Sequence, residues 1–171
     1  MTLYLLCGLA FSGKSTLAAA IARHARADVV SLDEINASRG LYGGVGIPDE
    51  EWGRTHAEAL SLVDAALREG RPVVVDDTNC FRFLRDNYRE IADRHGVPSV
   101  VIHVVVPLGL ALSRLRANDL DPSRAPVTEH VMLDLVEKFE WPAADETVLV
   151  FPGDADPEVW VSRNVSVRAG Q

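Results

Sequence analysis

A glycine-rich run near the amino terminus has the residue types and the spacing of a phosphate-binding loop. Positions 8–15 read Gly-Leu-Ala-Phe-Ser-Gly-Lys-Ser and fit the P-loop pattern G-x-x-x-x-G-K-[ST]. Gly8 and Gly13 permit backbone conformations that a side chain would obstruct, so successive N–H groups can surround a chain of phosphates. Lys14 can then reach the terminal phosphates, and the Ser15 hydroxyl can ligate a magnesium ion. The expected contacts with a nucleoside triphosphate are Gly8, Leu9, Ala10, Phe11, Ser12, Gly13, Lys14, Ser15 and Thr16.

The segments on either side of the loop match the context that this motif requires. An apolar stretch at 3–7 precedes the loop, and a helical pattern at 15–25 follows it. The positive end of that helix would face the same phosphates. The competing interpretation is a strand, a turn and a helix in which the glycines serve only the turn. Because both flanks fit, the sequence favours the triphosphate site.

The second apolar run of the chain ends at an acidic residue. Asp33 follows the run 29–32, at the carboxyl edge where open α/β sheets bind their ligands. A carboxylate there can take the proton from an acceptor hydroxyl as the oxygen attacks a terminal phosphate, so Asp33 is a candidate catalytic base. The alternative is a helix N-cap, because Asp33 begins Asp-Glu-Ile-Asn. Glu34 and Arg39, which follow, are candidate acceptor contacts, with Arg39 suited to an anionic substrate.

A third apolar run ends in two acids. Val-Val-Val-Asp-Asp at 73–77 is the pattern expected where a carboxylate meets the water shell of magnesium, and Asp76 is the candidate metal ligand. Thr78 and Asn79 extend the same edge with hydrogen-bonding groups that could hold an acceptor. A turn after a strand also favours asparagine for backbone reasons alone, so a structural role for Asn79 is an equal alternative.

A polar segment at about 118–127 contains two prolines and is expected to form a lid between two helices. Phosphoryl transfer spreads negative charge over the γ-phosphoryl oxygens, and that charge needs cations that arrive when water is excluded. Arg124 is the candidate closing cation, because its neighbours form no helix that would hold it. An ordinary solvated arginine is the alternative. Arg114, on the helix before the lid, is expected to contact the base or the phosphates.

The composition limits the kind of partner. With 171 residues and 47% hydrophobic content, the chain is long enough for one domain with a substantial core. Its 17 basic and 25 acidic residues give a formal net charge of −8, which disfavours an extended nucleic-acid groove. Cys7 and Cys80 have no zinc or disulfide spacing, and no apolar run reaches membrane-spanning length. We therefore expect a cytoplasmic protein with no membrane partner.

Strand-like and helix-like segments alternate along the chain, which is typical of a parallel sheet with helices on both faces. The expected fold is one three-layer α/β domain with a mostly parallel, five-stranded sheet. The predicted strands are 3–7, 29–32, 72–76, 99–106 and 148–151. The predicted helices are 14–26, 49–68, 81–95, 107–118 and 128–139. Valines at alternate positions in 154–171 hint at a further strand.

Four sequence elements occur together in this chain. They are the P-loop, Ser-Leu-Asp-Glu at 31–34, Asp-Asp-Thr-Asn at 76–79, and Arg-Ala-Pro-Val at 124–127 followed by Phe-Glu-Trp-Pro at 139–142. On these elements the chain resembles the P-loop kinases that phosphorylate hydroxyl groups, over about residues 1–150. The resemblance is to the polynucleotide 5′-hydroxyl kinases and their relatives, the seryl-tRNA kinases and the zeta-toxin and chloramphenicol phosphotransferase-like enzymes.

This resemblance carries expectations for individual residues. It implies that Lys14 and Ser15 hold ATP and magnesium. It implies that Asp33 is the general base, that Asp77 lies on the acceptor side, and that Arg124 closes on the phosphates. It also implies a sheet with the strand order of nucleoside kinases.

Two positions depart from the pattern of these enzymes. Polynucleotide kinases place an arginine three residues beyond the base, where this chain has Asn36, and adenylate-kinase-like lids often carry a second arginine where it has Asn118. The first departure and the acidic charge favour a small hydroxylated metabolite or antibiotic over a nucleic-acid end. The sequence therefore predicts an ATP-dependent kinase for such an alcohol. The alternatives are a polynucleotide or tRNA-linked kinase, and an interaction protein that binds ATP and hydrolyses it slowly.

Overall fold

Each strand is followed by a helix in the residues that the computed structural model describes, which are 1–42, 46–120 and 127–165. The strands are β1 (Leu3–Cys7), β2 (Asp28–Ser31), β3 (Val73–Asp76), β4 (Ser99–Val105) and β5 (Val148–Pro152). The helices are α1 (Lys14–Ala25), α2 (Leu32–Ser38), α3 (Asp49–Arg68), α4 (Arg82–Arg94), α5 (Leu108–Leu120), α6 (Glu129–Lys138) and α7 (Pro157–Asn164).

The five strands are parallel and lie in the order β2-β3-β1-β4-β5. This confirms the α/β class and the strand order that the resemblance implied. Tyr4 pairs with Val74 on one side and Val100 on the other, and Ser31 pairs with Asp76. Because parallel strands all point the same way, the carboxyl ends of β1, β2 and β3 meet at one edge of the sheet.

The sheet is covered on both faces, and side chains alternate between two cores. Leu5 and Cys7 of β1 belong to a buried cluster that includes residues of α3, α4 and α5. Tyr4 and Leu6 belong to a second cluster with residues of α1 and α7. This period of two, with apolar residues on both faces, explains why the strands read as continuous apolar runs.

The second strand, Asp28–Ser31, ends one residue before the predicted end at 32, because a helix begins there. Ser31 adopts an extended conformation, and its side chain accepts a hydrogen bond from the Glu34 N–H at 3.4 Å. Ser31 is therefore the N-cap of α2, which starts at Leu32. No helix at this position was predicted from the sequence.

Val159 and Val161 lie in a helix and not in the strand that the alternation of valines suggested, Val165 follows that helix, and Val167 lies outside the described residues. The Asp156 side chain accepts a hydrogen bond from the Val159 N–H at 2.9 Å, and Pro157 occupies the first turn of α7. Val161 and Val165 pack into the core on the α1 side of the sheet. An N-cap and a proline at the helix start thus override the period-two pattern.

The predicted lid falls largely outside the described residues. Helix α5 continues to Leu120 and α6 begins at Glu129, while 121–126, including Arg124, are not among the residues described. The role expected of Arg124 therefore stays a prediction. Among the described helices, none is both long enough and apolar enough to span a bilayer.

Candidate active site

The P-loop leaves the end of β1 in a conformation that excludes a side chain. A Cβ added to Gly8 would lie 2.7 Å from the carbonyl oxygen of Val104. The Gly8 N–H donates a hydrogen bond to the carbonyl oxygen of Thr78 at 3.1 Å. Gly13, immediately before α1, has a φ of 100°. Close packing therefore requires glycine at the first position, and the backbone conformation favours it at the second.

Two polar side chains of the loop are buried inside it. Lys14 is 7% exposed, and its ammonium donates a hydrogen bond to the Leu9 carbonyl oxygen at 2.7 Å. The hydroxyl oxygen of Ser12 is buried and has no hydrogen-bond partner among the described residues. A buried hydroxyl without a partner is rare in folded proteins. In a loop of this sequence, the Ser12 hydroxyl is suited to donate a hydrogen bond to a phosphate oxygen of a ligand.

The acidic and hydroxyl groups predicted from three separate segments come together at Asp76. Burial raises the pKa of the Asp76 carboxyl, and a hydrogen bond from Ser15 and the charge of Lys14 act in the opposite direction. The nearby carboxylates of Asp33 and Asp77 raise the same pKa. The ends of β2 and β3 and the start of α1 therefore contribute to one electrostatically coupled cluster.

The donor set of this cluster fits Mg²⁺. A hydroxyl from Ser15 and a carboxylate from Asp76 are hard oxygen ligands, and Mg²⁺ commonly takes one or two carboxylates together with phosphate oxygens and water. Within the described ranges, no group of three or more His, Cys, Asp and Glu side chains is placed to hold a metal ion. Ser15 and Asp76 would supply two oxygen ligands to such a cation.

Asp33 is an exposed residue in the first turn of α2. The N-cap position that competed with its catalytic role is occupied by Ser31, two residues earlier. Glu34 is also exposed in that turn. The capping interpretation of Asp33 is therefore wrong, while the proposed base and the acceptor contact of Glu34 stay predictions.

Asn79 lies in the interior and not on an accessible edge. Its side chain is fully buried, and its amide nitrogen donates to the Leu6 carbonyl oxygen at 2.7 Å. Its backbone is left-handed, with φ of 45°, and its N–H donates to the Asp77 carboxylate at 3.2 Å. These bonds favour the structural role that was the alternative for Asn79, because they join the turn after β3 to the end of β1. Asp77 is half-buried beside it.

Arg39 is also placed differently from the expectation. Its guanidinium donates to the Thr55 hydroxyl at 2.5 Å and to the Glu51 carbonyl oxygen at 3.0 Å, and it pairs with the Glu51 carboxylate. The Thr55 hydroxyl in turn donates to the Asn36 side chain at 2.5 Å. These bonds tie α2, which carries Asp33, to the start of α3. Arg39 therefore positions α2, and its predicted contact with an anionic substrate is not supported.

A cavity of about 330 Å³ lies beside the P-loop, within the usual range of small-molecule sites. One part of its lining was predicted as nucleotide contacts, namely Phe11, Gly13, Thr16 and Arg114. The other part was not predicted from the sequence, and it consists of Phe151 of β5 and, beyond that strand, Gly153, Ala155 and Pro157. A proline and a glycine after the last apolar strand, at the same sheet edge as the P-loop, were the available signal.

Phe11 and Arg114 join the P-loop to α5. Phe11 is a non-glycine residue with φ of 59°, and burial of its side chain holds it in this uncommon conformation. Its carbonyl oxygen accepts a hydrogen bond from the Arg114 guanidinium at 3.1 Å. The predicted nucleotide contact on α5 is thus adjacent to the phosphate-binding loop.

Residues 3–142 match a family whose description is an AAA domain. The chain belongs to this family. The matched region begins at β1 and includes the P-loop, Asp33, Asp76 and α6, whereas β5 and α7 lie beyond it.

Solved structures share the fold. A sugar kinase from Janibacter sp. HTCC2649 is 18% identical with a TM-score of 0.71, over 95% of this chain and 91% of that one. Kti12 from Chaetomium thermophilum, in complex with ADP-AlF3, is 19% identical with a TM-score of 0.71, over 95% and 96%. The APS kinase of Mycobacterium tuberculosis, in complex with AMPPNP and APS, is 15% identical with a TM-score of 0.66, over 95% and 94%.

We expect Gly153→Ala to weaken nucleotide binding. The added methyl group would lie 2.1 Å from Val106 Cγ1 and 3.1 Å from the carbonyl oxygens of Ser12 and Val105, so the cavity wall must shift. Overpacking costs about 1–3 kcal/mol, and we expect the Kd of Mg²⁺-ATP to rise about tenfold in isothermal titration calorimetry. Gly53→Ala in α3 is the control, since no heavy atom lies within 4 Å of its added carbon. If the two variants bind Mg²⁺-ATP with equal Kd values, the nucleotide does not occupy the cavity beside the P-loop.

We expect Arg39→Ala to destabilise the protein more than Arg54→Ala. Arg39 is 21% exposed and bonds to Thr55 and Glu51, so its removal should lower the free energy of unfolding by about 1–3 kcal/mol. Arg54 is 60% exposed and pairs with the same Glu51, so its loss should cost about 1 kcal/mol or less. Urea unfolding measures both changes. Equal losses would mean that the Arg39 network does not hold α2.

Proposed function

We propose that the protein is an ATP-dependent kinase that transfers the γ-phosphoryl group to a hydroxyl of a small molecule. The observation that carries the proposal is the convergence of Lys14, Ser15 and Asp33 around the buried Asp76 at one sheet edge, where each of the three affects the pKa of Asp76. A nucleotide-binding loop alone would be compatible with simple binding. The exposed carboxylate of Asp33, near Asp76, adds a group that can act on an acceptor.

The P-loop and the Ser15 and Asp76 pair are the proposed holders of ATP and Mg²⁺. Backbone N–H groups of the loop and the start of α1 favour a polyphosphate at this position, and Lys14 adds a positive charge beside it. Bound ATP supplies the transferable phosphoryl group, and Mg²⁺ neutralises part of its charge. The cavity between Arg114 and the segment after β5 is the proposed position of the nucleoside.

Asp33 is the proposed general base. Asp33 is exposed near the carboxyl edge of the sheet, and the N-cap of its helix is Ser31. The Arg39, Thr55 and Asn36 bonds hold the helix that carries it. A carboxylate held in this way can accept the proton of a hydroxyl placed between it and the phosphates. Glu34 and Asp77 are the proposed contacts on the acceptor side.

The charge distribution supports a small acceptor. The formal net charge is −8, and Arg39, the first arginine after Asp33, is engaged with α3. An oligonucleotide needs several cations along its backbone. The structural neighbours named as a sugar kinase and an APS kinase act on small molecules by their names, which agrees with this proposal.

The test is a screen for transfer of radiolabelled γ-phosphate from Mg²⁺-ATP. The panel contains sugars and polyols, nucleosides, adenylyl sulfate, hydroxylated antibiotics and 5′-hydroxyl oligonucleotides. We expect label on one class of small alcohol. Label on oligonucleotides alone would replace the small acceptor by a nucleic-acid end, and hydrolysis without any transfer would favour an ATP-dependent interaction protein.

Asp33→Asn should abolish most of the transfer while nucleotide binding persists. Loss of a general base lowers kcat by about 10²- to 10⁴-fold, whereas the Kd of Mg²⁺-ATP, measured by calorimetry, should change little because the P-loop is intact. Asp93→Asn removes an exposed acid in the last turn of α4 and is the control. An Asp33→Asn enzyme with undiminished kcat would rule out the base.

A further inference from the structure

A buried ion pair joins α4 to the segment that follows α6. Arg85 and Glu146 are both fully buried, and the guanidinium forms two parallel hydrogen bonds to the carboxylate, at 2.8 Å from Nε and 3.0 Å from Nη2. Such a pair loses much hydration on burial, and apolar residues of similar volume often stabilise a fold equally well or better. The stability of the fold is therefore a weak explanation for the pair.

The remaining donors of Arg85 point to a more specific role. Its Nη1 donates to the carbonyl oxygens of Asn79 and Glu140, each at 2.8 Å. Glu146 in turn accepts a hydrogen bond from the Ala143 N–H at 2.8 Å. One guanidinium thus holds the turn after β3 and a separate segment of the chain at the same time.

The turn that Arg85 holds is the one next to the P-loop. Asn79 donates from its side chain to the Leu6 carbonyl oxygen at 2.7 Å, and Thr78 accepts from the Gly8 N–H at 3.1 Å. The Asn79 N–H is bonded to the Asp77 carboxylate. A shift of the Asn79 carbonyl oxygen would therefore be transmitted to the start of the P-loop and to the acids at the end of β3.

The segment 139–146, which we call the strap, has further bonds to the turn after β3 and to the start of α4. The Glu140 N–H donates to the Cys80 carbonyl oxygen at 2.8 Å, and the Glu140 carboxylate accepts from the Arg82 N–H at 2.5 Å. The second bond caps the start of α4, where the N-cap residue offers no side-chain acceptor. Arg82 also pairs with Asp145 of the strap.

We propose that Arg85, with Glu146, is a positioning residue that holds the Asp76 to Asn79 turn in register with the P-loop, so that phosphoryl transfer depends on it. The proposal rests on the proposed kinase function for its rate effect. Neither side chain reaches solvent, so neither touches a substrate. Arg85 affects the transfer rate through its hydrogen bond to the Asn79 carbonyl oxygen, which an apolar side chain cannot form.

The test compares the double variant Arg85→Met, Glu146→Leu with the native protein. Because the replacements are apolar and of similar volume, the variant should fold, with a Tm within a few degrees of the native value. We expect kcat for transfer to fall about 10- to 100-fold, while the Kd of Mg²⁺-ATP changes much less. The control is the double variant Lys138→Met, Asp134→Leu, which removes an exposed ion pair of α6. We expect it to change neither the kcat for transfer nor the Kd of Mg²⁺-ATP.

Amide hydrogen exchange reports whether the turn at 76–79 is held against the P-loop, and it requires no phosphoryl acceptor. We expect the N–H groups of Gly8 and Asn79 to exchange about tenfold faster or more in the double variant, while those of the β1 and β4 pairing stay protected. If the native protein transfers phosphate to nothing, the proposed function fails, and exchange alone decides the positioning role. Unchanged exchange in the folded double variant would overturn it, as would unchanged kcat.

Arg85→Lys is the second variant, and it decides the question if the double variant does not fold. Lysine keeps the charge beside Glu146 but lacks the planar fork that binds a carboxylate and two carbonyl oxygens together. We expect a folded protein with faster exchange at Asn79 and a lowered kcat. Full kcat and full protection in this variant would show that the charge alone suffices, and would overturn the positioning role.

Discussion

The hydrogen bond from the Gly8 N–H to the Thr78 carbonyl oxygen joins the two segments on which the site depends. It connects the first residue of the P-loop with the turn after β3, and the absence of a side chain at Gly8 allows the loop to lie against Val104. Asp76 can then accept a hydrogen bond from Ser15 of α1. The chemistry of the site follows from this close backbone contact between neighbouring parallel strands.

Phosphate binding in an acidic protein needs a local explanation, since the net charge is −8. Backbone N–H groups at the start of α1, the Lys14 ammonium and the Arg114 guanidinium supply positive potential at one place. Asp76 at the end of β3 lies near the same Lys14, and burial and the repulsion from Asp33 and Asp77 raise the pKa of Asp76. This repulsion would be relieved by a divalent cation, so the arrangement suits a magnesium nucleotide more than a free anion.

The sequence predicted which segments lie at the sheet edge better than it predicted the bonding partners of the individual side chains in those segments. The P-loop and Asp76 follow apolar runs, and a parallel sheet brings the ends of such runs to one edge. Asn79 and Arg39 were assigned to the acceptor because they follow these ends in the chain. Their side chains instead bond to Leu6 and to Thr55, which are distant in sequence, and no local pattern indicates those partners.

The amino-acid sequence by itself determined the α/β class, the P-loop and the edge of the sheet at which polar side chains gather, because these depend on local spacing and on the period of the apolar residues. The tertiary structure decided which of those side chains act as structural anchors. It brought the segment after β5 to the cavity beside Arg114 and buried Arg85 against Glu146. Both results depend on contacts between residues far apart in the chain, whose geometry is set only when helices and strands pack together.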